Sequence, residues 1–403
     1  PGGQAVTTVP PQQAAAALSQ ADTSQTAAVM SAVLPERSAV SMTIPSVAQL
    51  QQGLGQAASA VRGGGRSQGA ASNDGGPRSW LPTWLNPRRG LMQGSDSGEL
   101  LLVAADASRP SQSDVGRQAL LPPTFNRASY TPAILHVRFT EERDKLSNPN
   151  NDAFLDLTLI PLQGEPEGRR VELSRQAFAD DLRALYRQLS RQESLQVDDP
   201  KSPSRRLYDQ LLAAIAPLLQ QRGITTLLIS ADRGLQAVPF AALHSGERYF
   251  GDSYAFALTP SLALTNLAPP SPGGGRLLAA GASKFDGLAP LPLVPAELQA
   301  ISLQPIKDMA LNQQFTPSTL LELAADSRYS RVHVATHAEF LPGGPSKSRL
   351  YSGTAPIALS DFVKLRLARQ GAPLDLISFS ACRTALGDAD SELGFAGLAL
   401  QAG

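Results

Sequence analysis

Leu374-Asp375-Leu376-Ile377-Ser378-Phe379-Ser380-Ala381 is an apolar run with the length and composition of a strand buried in a parallel sheet. A second such run, Val332-His333-Val334-Ala335-Thr336, lies upstream, and the stretch from Leu359 to Arg369 between them is patterned as a helix. Strand, crossover and strand make one parallel unit. Both runs end on reactive side chains: His337 follows the upstream run, and Cys382, the only cysteine of the 403-residue chain, follows the downstream one. The carboxyl ends of neighbouring parallel strands are where ligands and catalytic groups collect in open α/β sheets. A thiol and an imidazole at that edge are a candidate nucleophile and base.

A lone cysteine is otherwise a small core hydrophobe by burial tendency. Its position argues against that here, because Arg383, Thr384, Gly387, Asp388, Asp390 and Glu392 follow it and leave the core. His337 is likewise followed by Glu339 and then Pro342-Gly343-Gly344-Pro345, a loop signature. Of the other three histidines, His333 lies inside its strand as a packed core residue, and His136 and His244 have no apparent partner.

Working outward, the chain divides by composition. Residues 1–128 are built from Gly, Pro, Ala, Gln and Ser, with runs such as Arg62-Gly63-Gly64-Gly65-Arg66. Such a segment buries too little apolar surface to offset chain entropy and reads as disordered. Two exceptions stand out: a weak helix from Val47 to Val61, and Trp80-Leu81-Pro82-Thr83-Trp84-Leu85 as a docking motif or incidental aromatics.

Residues 129–403 read as an α/β domain with a mostly parallel sheet covered by helices on both faces. Ala133–Phe139 and Phe154–Ile160 form a hairpin around Ser147-Asn148-Pro149-Asn150-Asn151. Ser174 caps a helix carrying Phe178, Leu182, Leu185 and Leu189, and a second helix runs from Pro203 through Ile215 and Leu219. Strands are expected at Thr225–Ser230, Tyr254–Leu258 and Arg276–Ala280, and helices at Val294–Ile301 and Pro317–Ala325, the latter capped by Thr316. The linker Pro269-Pro270-Ser271-Pro272-Gly273-Gly274-Gly275 separates two halves.

The motifs Ser330-Arg331-Val332-His333-Val334-Ala335-Thr336-His337 and Ser378-Phe379-Ser380-Ala381-Cys382-Arg383-Thr384-Ala385-Leu386-Gly387-Asp388 resemble the His and Cys motifs of the CHAT domain family, a caspase-like cysteine peptidase group. The resemblance extends to Ser230-Ala231-Asp232-Arg233-Gly234-Leu235-Gln236-Ala237-Val238-Pro239-Phe240, to Leu258-Thr259-Pro260-Ser261-Leu262, and to Glu392-Leu393-Gly394-Phe395-Ala396-Gly397-Leu398. It covers residues 154–403 in order; either reactive motif alone would be a weak signal.

The resemblance implies a cysteine endopeptidase acting on a protein or peptide substrate, with a possible regulatory protein partner and no cofactor. Cys382 is its nucleophile and His337 its general base and acid. The backbone amides of Cys382 and Ala338 would hold the oxyanion. Many relatives carry Gly where this chain has Ala338, so a required positive φ would strain the hole. Ser380 would line the pocket for the residue whose carbonyl is cleaved. Asp388, Asp390 and Glu392 would offer negative charge to a basic side chain, or form a solvated acidic loop; Arg383 is equally near. Relatives continue past the segment matching Gly397–Gly403, and the chain begins at Pro1 without a methionine, so both ends are expected to be incomplete, leaving a sheet edge unpaired and the isolated chain poorly soluble or inactive. A catalytically inactive scaffold for protein interaction is the alternative, since function belongs to sites rather than folds.

The remaining bounds are broad. Lys plus Arg and Asp plus Glu number 35 each, which gives no electrostatic case for nucleic acid or acidic membranes. A single cysteine excludes an internal disulfide framework and fits a reducing, cytoplasmic compartment. One Cys and one His fall short of a metal ligand set. No apolar run reaches the length of a membrane span.

Overall fold

A computed structural model describes residues 6–20, 45–63, 127–232, 234–259, 261–263, 265–267, 276–301, 307–339, 348–362, 369 and 374–381. The described residues form a mixed α/β protein with three sheets among them. The first has six strands in the order β1-β4-β3-β2-β5-β6, with β1 Val6–Val9, β2 Pro132–Thr140, β3 Ala153–Pro161, β4 Glu167–Leu173, β5 Thr226–Ala231 and β6 Ala255–Thr259. The pairs β1·β4, β4·β3 and β3·β2 are antiparallel, whereas β2·β5 and β5·β6 are parallel. The second sheet holds β7 Arg276–Gly281, β8 Lys307–Leu311, β9 Tyr329–Ala335 and β13 Leu376–Ser380 in the order β13-β9-β7-β8, all parallel. A small antiparallel sheet joins β10 Ala338–Glu339, β11 Arg349–Tyr351 and β12 Pro356–Ala358. The parallel expectation therefore holds for the sheet that carries the two motifs, and the upstream sheet is mixed.

Two cores follow from this division. On the first sheet, Leu135, Val137, Leu155, Leu157, Val171 and Ile229 alternate onto one face and are buried by α3 (Arg175–Ser190), α4 (Pro203–Leu211) and α5 (Ala216–Gln221). Ser174 caps α3 by accepting the Ala177 N–H at 3.3 Å, a contact of the kind worth about 1 kcal/mol. One continuous helix was expected from Pro203 to Leu219, but the chain forms two. Pro217 lies in the first turn of α5, and in a continuous helix it would lack an N–H and clash with the preceding turn. The second core gathers Leu278, Ala280, Val332, Val334, Leu320 and Phe315 under α7 (Pro317–Ala325), with Thr316 accepting the Thr319 N–H at 3.0 Å as its cap. On the sheet's other face α6 (Val294–Ile301) lays Val294 and Leu298 against Ala279 and Ala335.

Part of the amino-terminal region departs from the disorder expected of it. β1 extends the first sheet, residues 11–20 form helix α1, and Val47–Gly63 forms α2. Leu18, Leu50 and Leu54 are buried against Ile134, Ile160 and Leu262 on the sheet's second face. The low-complexity composition hid these few apolar residues, which recur at helical spacing and suffice once a sheet supplies the partner surface. The helix from Val47 is confirmed and reaches Gly63. The Trp80–Leu85 motif lies outside the described residues, as does most of the expected 359–369 helix, of which Leu359–Phe362 is a 3-10 turn. No helix among the described residues is long and apolar enough to cross a membrane.

Candidate functional site

The site is built at the carboxyl edge of the all-parallel sheet. β9 and β13 pair in register, with Ser380 opposite Ala335, and the Thr336 N–H donates to the Ser380 carbonyl at 3.1 Å. The ends of the two strands are thereby held side by side, one strand spacing apart. His337 stands two residues beyond Ala335, and the chain reaches Cys382 two residues beyond Ser380. Cys382, Asp388 and Glu392 lie outside the described residues. Ser380 is exposed at the tip of β13.

His337 is held from three directions. Its Nε2 lies 2.7 Å from the carbonyl oxygen of Ala289. A carbonyl can only accept, so in the neutral ring Nε2 carries the proton and Nδ1 keeps the lone pair. The imidazole also packs on the Phe285 ring, with centroids 4.8 Å apart and planes inclined at 55°. Its own carbonyl accepts the Tyr351 N–H at 3.0 Å, while the buried Thr336 hydroxyl donates to the Tyr351 carbonyl. Phe285 and Ala289 belong to the loop after β7, and Tyr351 belongs to β11. None of these partners was foreseen. The Ala289 and Tyr351 contacts are made by backbone atoms, which leave no residue-type signal.

Ala338 opens β10 opposite Leu350. The Tyr351-to-His337 bond marks the neighbouring pair as the hydrogen-bonded one, and antiparallel ladders alternate. The Ala338 N–H is therefore turned away from β11. The non-glycine residues with positive φ among those described are Gln192, Gln196 and Asn312, so Ala338 adopts extended backbone without the strain that replacing Gly had suggested.

The other histidines separate by environment. His333 is partly buried on the α6 face, its Nε2 3.0 Å from Glu297 Oε1. His244, expected to lack a partner, accepts the Gly246 N–H on Nδ1 at 3.0 Å and meets the Tyr249 ring edge-on at 4.6 Å. His136 is 1 % exposed and its Nε2 has no hydrogen-bond partner in the structure. Burial pushes its pKa down to about 4, helped by the Arg138 charge and opposed by Asp156. It lies on the same face of β2 as Ile134, the first sheet's second side.

A parallel sheet that brings a histidine motif beside a cysteine motif defines a class of protein before it defines a reaction. The family model of the CHAT domain matches residues 201–403, just over half of the chain. The chain belongs to the CHAT domain family, whose wider kinship is caspase-like. No curated protein matches the chain.

Proposed function

We propose that the chain is a cysteine endopeptidase that cleaves peptide bonds through an acyl-enzyme on Cys382. The supporting observation is the pairing of β9 with β13, which aligns the strand ends from which His337 and Cys382 each follow after two residues. In this reading His337 Nδ1 accepts the thiol proton of Cys382, an exchange needed because an ordinary thiol has a pKa near roughly 8.5. The thiolate adds to the scissile carbonyl, and the resulting oxyanion is stabilised by the amides of Ala338 and Cys382. Collapse of the adduct breaks the peptide C–N bond, with the imidazolium returning its proton to the departing amine. Water, activated by the same imidazole, then releases the acyl group as a carboxylic acid and regenerates the thiol. Ser380 borders the acyl-side pocket, and Asp388 and Glu392 favour a basic side chain there. Residues 129–403 form the peptidase unit.

A peptide-based acyloxymethyl ketone, which alkylates the active thiol, tests this. Labelling of the protein that is lost in Cys382→Ala and falls by about 100-fold or more in His337→Ala supports the enzyme. Labelling indifferent to His337, or no turnover across a peptide library, favours an inactive interaction scaffold.

A further inference from the structure

The loop after β7 supplies the carbonyl that orients His337, yet its residues 284 and 286–290 are exposed and carry no core packing of their own. What fixes it lies at its base. Ser283, buried at the carboxyl end of β7, donates both its N–H and its Oγ–H to Asn312 Oδ1, at 2.8 and 3.1 Å. The atom facing the Ser283 N–H must be an acceptor, which settles the amide's orientation. The Ser283 carbonyl in turn accepts the Leu291 N–H at 2.9 Å, closing the loop two residues beyond Ala289. Asn312 thus holds the first residue of a closed loop whose other end is tied to that same residue.

Asn312 reaches His337 by a second route. It sits at φ 53°, in the left-handed region that Asn tolerates better than most residues. In this conformation its backbone lies flat against Gly353, where an added Cβ would fall 1.9 Å from the Asn312 carbonyl oxygen. Gly353 follows β11 and donates its N–H to Phe315 at 2.8 Å. β11 is the strand whose Tyr351 bonds the His337 carbonyl. One residue at the end of β8, the edge strand farthest from β13, therefore touches both the loop that holds the ring of His337 and the hairpin that holds its backbone.

We propose that Asn312 is a positioning residue for His337: through Ser283 and Gly353 it fixes the Ala289 carbonyl and the β11 hairpin, so that the imidazole is held as its Nε2–H tautomer with the lone pair on Nδ1. The catalytic meaning of that tautomer rests on the peptidase reading above, whereas the positioning itself does not.

The two are separated by spectroscopy on the full chain. With ¹⁵N-labelled histidine, a long-range ¹H–¹⁵N spectrum reports the tautomer of each of the four histidines, and His337→Gln identifies the His337 set. The wild-type protein shows His337 as the Nε2–H form. Asn312→Gly keeps the left-handed backbone and removes Oδ1; it turns the His337 signals into an averaged tautomer pattern, while the His333 signals, anchored by Glu297, stay in place and report an intact sheet. Asn312→Asp, which retains an acceptor in the same position, restores the wild-type pattern. Ser283→Ala, losing one of two bonds, falls between. In turnover, Asn312→Gly lowers kcat by about 10-fold or more with KM little changed, and Asn312→Asp recovers it. Unchanged His337 signals in Asn312→Gly overturn the proposal, as does an aspartate variant no better than glycine. Wild-type protein without turnover would instead sink the peptidase reading, with the spectra still deciding the role of Asn312.

Discussion

His337 Nε2 and the carbonyl oxygen of Ala289 are 2.7 Å apart, a contact that assigns the ring's proton without any acidic side chain. The hydrogen bond fixes one end of the imidazole, and the Phe285 ring, 4.8 Å away between centroids, limits rotation about it. Phe285→Ala removes that restraint and leaves the backbone bond in place. Labelling by the thiol-directed probe is expected to slow by about 10-fold, within the range that misplacement of a reacting group produces. A rate equal to that of wild type would mean that Ala289 alone orients the ring.

Thr336 joins three pieces of the site. Its N–H ties β9 to β13 at Ser380, and its buried hydroxyl donates to Tyr351 on β11. Thr336→Val keeps the shape and leaves the part-buried Tyr351 carbonyl without its donor, a loss of about 1 kcal/mol. The urea midpoint should fall accordingly, and Thr336→Ser, which restores the donor, should return most of it.

What was legible in the sequence were elements whose cause is local. The helices Val294–Ile301 and Pro317–Ala325 have the bounds expected of them, the second starting at the Thr316 cap and Pro317, and the hairpin of β2 and β3 follows from two apolar runs around an Asn-rich turn. β4 was missed because Glu167-Gly168-Arg169-Arg170-Val171-Glu172-Leu173 looks like solvated surface. Its charges are instead matched across the sheet, with Arg170 bonded to Asp156 at 2.6 and 2.9 Å and to Glu142 at 2.7 Å. Glu172 accepts the Ser147 N–H at 3.0 Å, which holds its carboxyl below the usual range. Of the candidate site, His337 could be read because a strand end carries it. The Ala289 carbonyl and the Asn312 anchor could not, since both depend on which loops meet at the sheet edge.

His136 makes stability depend on acid in a defined window. Unfolded, the imidazole titrates near its ordinary 6.5; folded, burial holds it neutral to about 4. Its contribution is therefore fully present above pH 6.5 and is lost as pH falls through that window toward 4, as the unfolded chain takes up the proton first. The size is about 3 kcal/mol by linkage of that shift. Groups facing it include Arg138 and Asp156 from β2 and β3, so His136→Gln, which keeps polarity without titrating, is the suitable comparison. Urea midpoints at pH 7 and pH 4.5 should converge less in wild type than in the variant. Equal acid losses in both would remove His136 as the cause.

The amino-terminal segment rests on the first sheet through a close approach that only glycine permits. At Gly168 on β4, an added Cβ would meet the Val9 Cβ at 2.7 Å and the Ala14 Cβ and Val9 carbonyl at 3.2 Å, so the β1 strand and helix α1 lie directly on that backbone. Gly168→Ala must push them away or distort β4, at a cost of about 1–3 kcal/mol. Because the second-face contacts of Leu18 belong to a cluster separate from the main core, the loss should be local. Amides of residues 6–20 should exchange faster by hydrogen-exchange mass spectrometry, with those of β2 and β3 unchanged. Gly55 in α2 provides the opposite sign on the same segment. A Cβ there meets only Leu162 Cδ1, at 3.9 Å, and a helical glycine replaced by alanine gains up to about 1 kcal/mol. Gly55→Ala should thus slow exchange in α2 and Gly168→Ala should speed it in β1 and α1. The same direction of change in both variants would show that the segment is not held by these contacts.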